Sequence, residues 1–597
     1  MTYQAPIGEM YFTLNHIAGM KGALDAGLLG DLSGDLVAAI LEEAGRFATD
    51  QIAPLNASAD RAGSLLVDGV VSTAPGWKEL YAAWIKGGWN AVTGPEDFDG
   101  QGLPIMVAAA VVDLWNQGSM AFAIGPTLTM GAVEALDKHA TKELKDIWLN
   151  KLVTGEWMGT MNLTEPQAGS DLNAIRSKAV PKGDGTYRIT GQKIFITYGD
   201  HDLTDNIVHL VLARLPDAPA GTRGISLFLA PKYLLNEDGS IGEPNDVRCV
   251  GLEHKLGIHA SATCTMSFGD DGGAIGWLIG EENKGLQCMF TMMNNARLMV
   301  GLQGVGVAER ATQQAMSYAR DRRQGRGADS KDKSVMDPIL VHPDVRRSLL
   351  TMKGLTRASR SICYACAHAI DMARNMEGDD AHHWQERAGL LTPVAKAFST
   401  DCGFDVASMG VQIHGGMGYI EETGAAQHLR DARIAQIYEG TNGIQAIDLV
   451  MRKLPQSDGN CVRAYLSELK GIVHTLPDDH EDYAVIADRT LEALSDLEAA
   501  TEWLLECHKS GDRGEVLAGA TPYLRLFGLA AGLAYLAKGA SIAPKIQDEN
   551  AVKYRIQARF FAENCAPECA SLLEVVTDGA ATLCGESANI DHVLWEV

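Results

Sequence analysis

The chain has no run of about 18 uncharged apolar residues, the length a helix needs to cross a bilayer, so no membrane-spanning helix is expected. It has no Gly-x-Gly-x-x-Gly opening a helix after a strand, which disfavours a nicotinamide site of the Rossmann type. Residues Met1 to Met10 lack a basic stretch followed by an apolar core and do not read as a signal peptide, so a cytoplasmic location is expected. No second cysteine pair or histidine cluster completes a closed zinc site, which argues against metal catalysis. Positive charge is also scarce. A formal charge of −25 argues against a nucleic-acid surface, whose affinity comes from neutralising phosphates with Lys and Arg.

The 11 cysteines are scattered, and an odd number fits a reducing compartment better than a disulfide framework. Cys363 and Cys366 have redox-motif spacing, yet they sit in an Arg/Ala-rich helical pattern with no strand nearby, so helix packing is expected of them.

At 597 residues the chain exceeds the usual single-domain size of roughly 50 to 250 residues, and its 46% hydrophobic content is that of a globular protein. Residues 34 to 155 read as largely helical, with apolar spacing at Leu36, Ile40 and Leu41 and a Gly/Pro-rich break at Gly94 to Pro104. From 158 to about 275 the pattern is strand-like, as in Asn206 to Ala213 and Gly224 to Ala230. Helical periodicity returns near 284, through Met289, Met293, Leu298 and Leu302, and again over 342–376 and 386–413. Leu454 to Gly459 reads as a linker before a last helical region. The expected segments are therefore 1–157 (helical), 158–280 (β), 281–453 (helical bundle) and 460–597 (additional helices).

Two motifs stand out. Met161 to Asp171 (MNLTEPQAGSD) is rich in groups that bond nearby backbone, and Tyr187 to Thr197 (YRITGQKIFIT) is strand-like, broken at Gly191. Phe195 and Thr197 would share a strand face. Downstream, Gly415 and Gly416 permit close approach of backbone to a ligand, although a helix C-cap explains them as well. Tyr318 to Lys333 concentrates Arg320, Arg322, Arg323, Arg326, Lys331 and Lys333 against Asp321, Asp329 and Asp332, the best local answer to an anionic ligand.

Through Leu163–Asp171, Gly191–Thr197, Gln412–Tyr419 and Ile437–Thr441, in that order, the sequence resembles the acyl-CoA dehydrogenase family. The resemblance implies an α+β multi-domain fold: an N-terminal helical domain, a middle β-domain and a C-terminal four-helix bundle, here with an extra C-terminal helical domain. It implies FAD as cofactor, contacted by Met161, Leu163, Thr164, Gly169, Ser170, Phe195, Thr197 and Thr441, with Arg322, Gln324, Gln412, Gly415 and Gly416 reaching it across a subunit boundary. A homodimer is the smallest assembly that allows this. Met161 replaces the usual aromatic and Phe195 the common Trp, and the loop after Arg322 reads Arg-Gln-Gly-Arg instead of carrying Phe before Gly.

Dehydrogenation requires removal of a weakly acidic α-proton while a hydride leaves the β-carbon, and a carboxylate in a water-poor site serves as such a base because burial raises its pKa. The resemblance places that base at Glu439, whose own backbone N–H would face the thioester oxygen. Ser170, Arg297 and Gly440 would contact the substrate. The extra segment Tyr3 to Ile7 and the C-terminal extension resemble a long bacterial branch of the family. That branch implies 3-methylthiopropanoyl-CoA as substrate and an electron-transferring flavoprotein as acceptor. A general short- or medium-chain dehydrogenase is the alternative enzyme. A flavin-containing DNA-binding relative is the alternative of another class, although it calls for a basic C-terminal region where Asp478 to Asp482 is acidic.

Overall fold

The apolar runs between residues 158 and 279 pair into one mixed sheet, in a computed structural model that describes residues 3–584 except Lys333, with backbone alone at residues 292–294. The order across the sheet is Val247–Leu252, Thr263–Phe268, Tyr187–Thr197, Ala274–Ile279, Ser226–Pro231, Ile207–Ala213 and Met158–Asn162, with Lys178–Pro181 also pairing Tyr187–Thr197. All pairings are antiparallel except Met158–Asn162 beside Ile207–Ala213. Ile207–Ala213 and Ser226–Pro231 are buried at every position. Their near-continuous apolar runs therefore serve two cores, as expected of strands covered on both faces. Val208, Leu210 and Leu212 join Trp148, Leu152 and Trp157, while Val211 and Ala213 join Ile189, Phe228 and Phe268.

This sheet belongs to one compact unit, Arg46–Pro104 with Leu114–Met299; the other comprises Met1–Gly45, Ile105–Asp113 and Val300–Val597. In the sheet-bearing unit the helix Lys142–Thr154 is capped by Thr141 Oγ1, which accepts from Leu144 N, and is ended by Gly155 in a left-handed conformation. Gly is favoured there because it has no Cβ to clash.

The helical unit is built on Pro343–Asn375 and Gly378–His414, against which Ala520–Lys545 packs closely. A Cβ at Gly528 would fall 2.2 Å from Phe398, and one at Gly532 would fall 2.8 Å from Ala358 Cβ, so both glycines set the approach of these helices. The C-terminal extension thus covers the bundle. The expected linker is a tight turn, Gln456–Gly459, with Ser457 and Asp458 both at positive φ.

The N-terminal segment is fastened to the same unit by charge. Glu9 accepts from Arg357 and Arg360 and pairs with Lys353 at 3.1 Å, while Arg360 Nε donates to Asp113 at 2.8 Å. Tyr3 lies 4.7 Å from the Arg310 guanidinium, and Gln4 exchanges two hydrogen bonds with Gln313. Cys363 and Cys366 are buried in Pro343–Asn375, beside the hydroxyls of Ser399 and Thr392. Burial pushes both thiols up, that of Cys366 to about 12, which fits packing and not redox chemistry.

Two helices, Ile105–His139 and Ala520–Lys545, are long and apolar enough to cross a membrane by composition. Neither contains an unbroken apolar run of that length, because Asn116, Gln117, Ser119 and Thr129 interrupt the first and Arg525 and Lys538 the second. Their most apolar windows are 100% and 89% buried within the fold, so they are core helices here.

Candidate active site

The Met161–Asp171 motif, a cradle of hydroxyls and backbone amides, is organised by a residue whose sequence position did not mark it. Glu165 sits at a tight turn closed by paired 2.9 Å backbone bonds with Ala168. Its carboxylate accepts from Lys193 Nζ (2.8 Å), Arg176 N (2.8 Å), Ser177 N (3.1 Å) and Gln167 Nε2 (2.6 Å). The Lys193 side chain is 0% exposed and also donates to Leu163 O at 3.0 Å. Burial favours neutral Glu165, but the Lys193 ammonium and the other donors outweigh it and hold the carboxyl at about 2. A lysine amid alternating apolar residues was the available signal, because a buried charge requires a partner.

Beside this pair, Ile194 N donates to Thr164 O at 3.0 Å, which joins the 161–171 motif to the 187–197 strand. The strand bulges there: Cys264 faces Ile196 while Met266 faces Lys193, leaving an extra residue in Tyr187–Thr197. Phe195 takes φ +61°, a left-handed conformation for a bulky residue, and the residue is 58% exposed. Thr164 and Thr197 are half-buried, and Gly169 and Ser170 are exposed. Leu163 packs partly against the core. Met161 differs from its fellow motif residues, because its side chain is 7% exposed and joins the core with Leu152 and Val208. Asp171 accepts from Asn173 N and shapes the end of the turn.

The candidate base lies in the helical unit. Helix Ala425–Ala435 stops and helix Asn442–Asp448 starts, and the loop between them carries Glu439 at φ +54° and Gly440 at φ +83°. The left-handed geometry costs a non-glycine residue about 1–2 kcal/mol. The loop is closed by Asn442 N donating to Gln436 O (3.0 Å) and Thr441 Oγ1 donating to the same carbonyl (3.3 Å). Gln445 Nε2 donates to Gly440 O (3.0 Å) and Glu439 O (3.4 Å). Tyr438 donates its hydroxyl to Gln303 Oε1. Burial, and then the adjacent Glu439 carboxylate, push the Tyr438 phenol well up, so it stays a donor at neutral pH. The Glu439 side chain is half-buried.

Gln412, Gly415 and Gly416 are exposed at the end of Gly378–His414, and Gly415 at φ +60° is its C-cap. A Cβ at either glycine would meet nothing within 4 Å, so close packing within the chain does not explain them. Arg322 and Gln324 are exposed at the neck of a loop closed by Ile339 N to Arg322 O (2.8 Å) and Gln324 N to Asp337 O (3.1 Å). Lys333, counted in the basic segment, lies outside the described residues. Arg297 is buried on the helix Gly285–Asp321. Met289 is packed in the core, while the side chains of Met292 and Met293 lie outside those described.

A half-buried carboxylate on a clamped left-handed turn, and an exposed ring flanked by hydroxyls, are parts suited to a flavin-dependent oxidoreductase. Four family descriptions match in chain order: acyl-CoA dehydrogenase N-terminal domain (37–156), middle domain (160–270) and C-terminal domain (283–454), then acetyl-CoA dehydrogenase C-terminal like (465–585). The chain is 44% identical to the 3-methylmercaptopropionyl-CoA dehydrogenase of Ruegeria pomeroyi, over 98% of this chain and 99% of that one. Among solved structures it resembles Caenorhabditis elegans ACDH-11 in complex with C11-CoA (TM-score 0.78, 21% identity, 97% and 96% covered). It also resembles an acyl-CoA dehydrogenase complexed with FAD from Bacillus anthracis (TM-score 0.72, 20% identity, 94% and 91% covered). The chain belongs to the acyl-CoA dehydrogenase family.

Proposed function

We propose that the protein carries out the FAD-dependent α,β-dehydrogenation of a short acyl-CoA thioester, 3-methylthiopropanoyl-CoA to 3-methylthioacryloyl-CoA, with Glu439 as the base. The observation that carries the chemistry is Glu439 itself: a carboxylate on a strained loop whose carbonyls are tied down by Gln445. Strained backbone of this kind persists only where its surroundings over-determine it, and it clusters at functional sites. The full-length match to the Ruegeria protein supports the substrate.

Glu439 takes the α-proton from a half-buried position, where a carboxylate can serve as general base. Its backbone N–H faces the thioester oxygen as enolate charge develops, a contribution of up to several kcal/mol in such sites. Ser170, Arg297 and Gly440 hold the acyl-CoA. Thr164, Thr197 and Ser170 supply hydroxyls, and Phe195 an exposed aromatic ring, a set whose chemistry fits the polar edge and flat face of a flavin. Leu163, Gly169, Thr441 and the Met161 strand complete that side. When bound, FAD accepts the hydride from the β-carbon.

In the proposed homodimer Arg322, Gln324, Gln412, Gly415 and Gly416 serve the partner's cofactor. Met417, Tyr419 and Ile420 follow directly and are 49%, 85% and 45% exposed, an apolar run of the kind that marks interaction sites. Segments 1–157, 158–280, 281–453 and 460–597 are the functional domains, an electron-transferring flavoprotein is the acceptor, and the enzyme works in the cytoplasm.

The test is anaerobic mixing of the holoenzyme with 3-methylthiopropanoyl-, butanoyl- and octanoyl-CoA, followed by steady-state rates with an artificial acceptor. Bleaching of the oxidised flavin band by the thioether substrate, with the highest kcat/KM, is the expected result. A tenfold preference for either straight-chain substrate would move the assignment to a general short- or medium-chain enzyme.

A further inference from the structure

Helices Ala425–Ala435 and Asn442–Asp448 leave the Glu439 loop standing between two feet, Gln436 and Asn442. Both feet reach one oxygen. Gln436 Nε2 donates to Asp401 Oδ1 at 2.6 Å, and Asn442 Nδ2 donates to the same Oδ1 at 2.7 Å. Asp401 lies on Gly378–His414, a different helix from either foot. The Asn442 carboxamide is oriented further by Lys396 Nζ on its oxygen (2.7 Å), by Thr400 Oγ1, and by its own donation to Ala397 O (3.2 Å). On the other side, Arg433 Nη1 donates to Gln436 Oε1 at 2.9 Å and fixes that amide in turn.

We infer that Asp401 is a positioning residue for the reaction: its Oδ1 staples the two feet of the base loop and holds Glu439 in its left-handed geometry. The inference rests on the reading of Glu439 as base. Its logic is mechanical. A five-residue loop with Glu439 and Gly440 both at positive φ would relax toward commoner conformations unless its ends were fixed, since that conformation costs Glu439 about 1–2 kcal/mol. The closing backbone bond from Asn442 N sets the span of the feet, and the Asp401 oxygen sets their orientation relative to the bundle. Catalysis is sensitive to that orientation, because a misplacement of about 1 Å can cost roughly a hundredfold in rate.

The experiment compares Asp401→Ala, Asp401→Asn, Gln436→Met and Glu439→Gln holoenzymes in anaerobic single-turnover bleaching and in the pH profile of kcat/KM. Asp401→Ala is expected to slow bleaching about tenfold to a hundredfold with flavin content and KM unchanged. It should also move the acid limb of the profile down, because a better hydrated carboxylate ionises more readily. Asp401→Asn restores both, since its Oδ1 still accepts from Gln436 and Asn442. Gln436→Met, which frees one foot and keeps bulk, gives a smaller loss in the same direction and carries the test should Asp401→Ala fold poorly. Wild-type bleaching and profile in Asp401→Ala, beside a dead Glu439→Gln, would overturn the inference alone, as would equal losses in the Asn and Ala variants. Wild-type bleaching by Glu439→Gln would overturn the base reading and this inference with it.

Discussion

Phe195 and Glu439 are both side-chain-bearing residues held at positive φ, one in each compact unit, and they are held by different chemistry. Phe195 sits at a bulge whose neighbour, Lys193, forms a fully buried ion pair with Glu165. The Glu439 turn itself is tied by neutral groups, the Gln445 carboxamide and the Tyr438 phenol, at half-buried positions, while the charged partners Asp401, Arg433 and Lys396 act on its feet, Gln436 and Asn442. The difference fits the roles proposed for each. A ring that only presents a surface can be backed by permanent charges. A base is poorly served by an adjacent ammonium, which would favour its ionised form and lower the very pKa that its role requires raised.

The comparison is tested hardest at the base. Glu439→Gln keeps the size of the side chain but cannot take a proton, so turnover should fall by about 10² to 10⁴, toward the upper end because proton and hydride transfer are coupled. Flavin and acyl-CoA binding should be retained, and anaerobic mixing should leave the oxidised flavin band unbleached. Rapid bleaching would move the base to another residue.

Next in size is the ion pair. Lys193→Met leaves the Glu165 carboxylate buried without its ammonium, a change that typically costs about 3–5 kcal/mol. The cradle should open locally, seen as faster hydrogen exchange along residues 187–197 and weaker flavin retention. Adding Glu165→Gln to Lys193→Met should recover part of the loss, because the orphaned charge is then gone. A double variant no more stable than the single would mean that the pair is not what holds the bulge.

Acid separates the two regions more gently. The Glu165 carboxyl is held at about 2 against an ordinary value of 4.5, so it binds protons less readily folded than unfolded. Its contribution is therefore complete above about 4.5 and is lost as pH falls through that value toward 2. Each pK unit is worth about 1.4 kcal/mol, so the effect amounts to a few kcal/mol at most. Exchange protection over 163–197 should decline in that window, and Glu165→Gln should flatten the decline.

These contrasts also show what the sequence could tell. The cradle, the Gly pair and the Tyr-Glu-Gly-Thr segment were legible because particular residue types stood at particular spacings. The order of helices, sheet and helices was legible from periodicity. The left-handed turns at Phe195 and Glu439 were not, because neither residue favours that conformation and only distant partners impose it. Asp401 and Gln303 are such partners, more than 35 and 130 residues from the loop that they hold, and nothing local marks them. At Met161 the motif named the position but not its surroundings: the strand turns that side chain into the core beside Leu152 and Val208. Ala520–Lys545 fell within the region expected to add helices, and the glycines that let it lie against Phe398 and Ala358 carry no signature in one sequence.

The smallest expected effect is the sharpest test of the comparison, because it isolates backbone strain from everything else. Phe195→Ala and Phe195→Gly both remove the exposed ring, so both should loosen flavin equally. They differ in how the backbone tolerates φ +61°, where alanine still meets the Cβ clash and glycine does not. Glycine also loses more freedom on folding, by roughly 0.5–1 kcal/mol, which offsets part of the relief. The Gly variant should therefore be the more stable of the two by about 1 kcal/mol or less, read as a small rise in the thermal midpoint of the apoprotein. Glu439→Gly against Glu439→Ala should give a difference of the same sign and size, although its two variants are both inactive. Matching differences would mean that the strain is a property of the turn, whatever holds it in place. If Ala equals Gly at 195 but not at 439, the bulge relaxes once its ring is gone, and the ion pair steers the ring through Lys193 instead of locking the backbone.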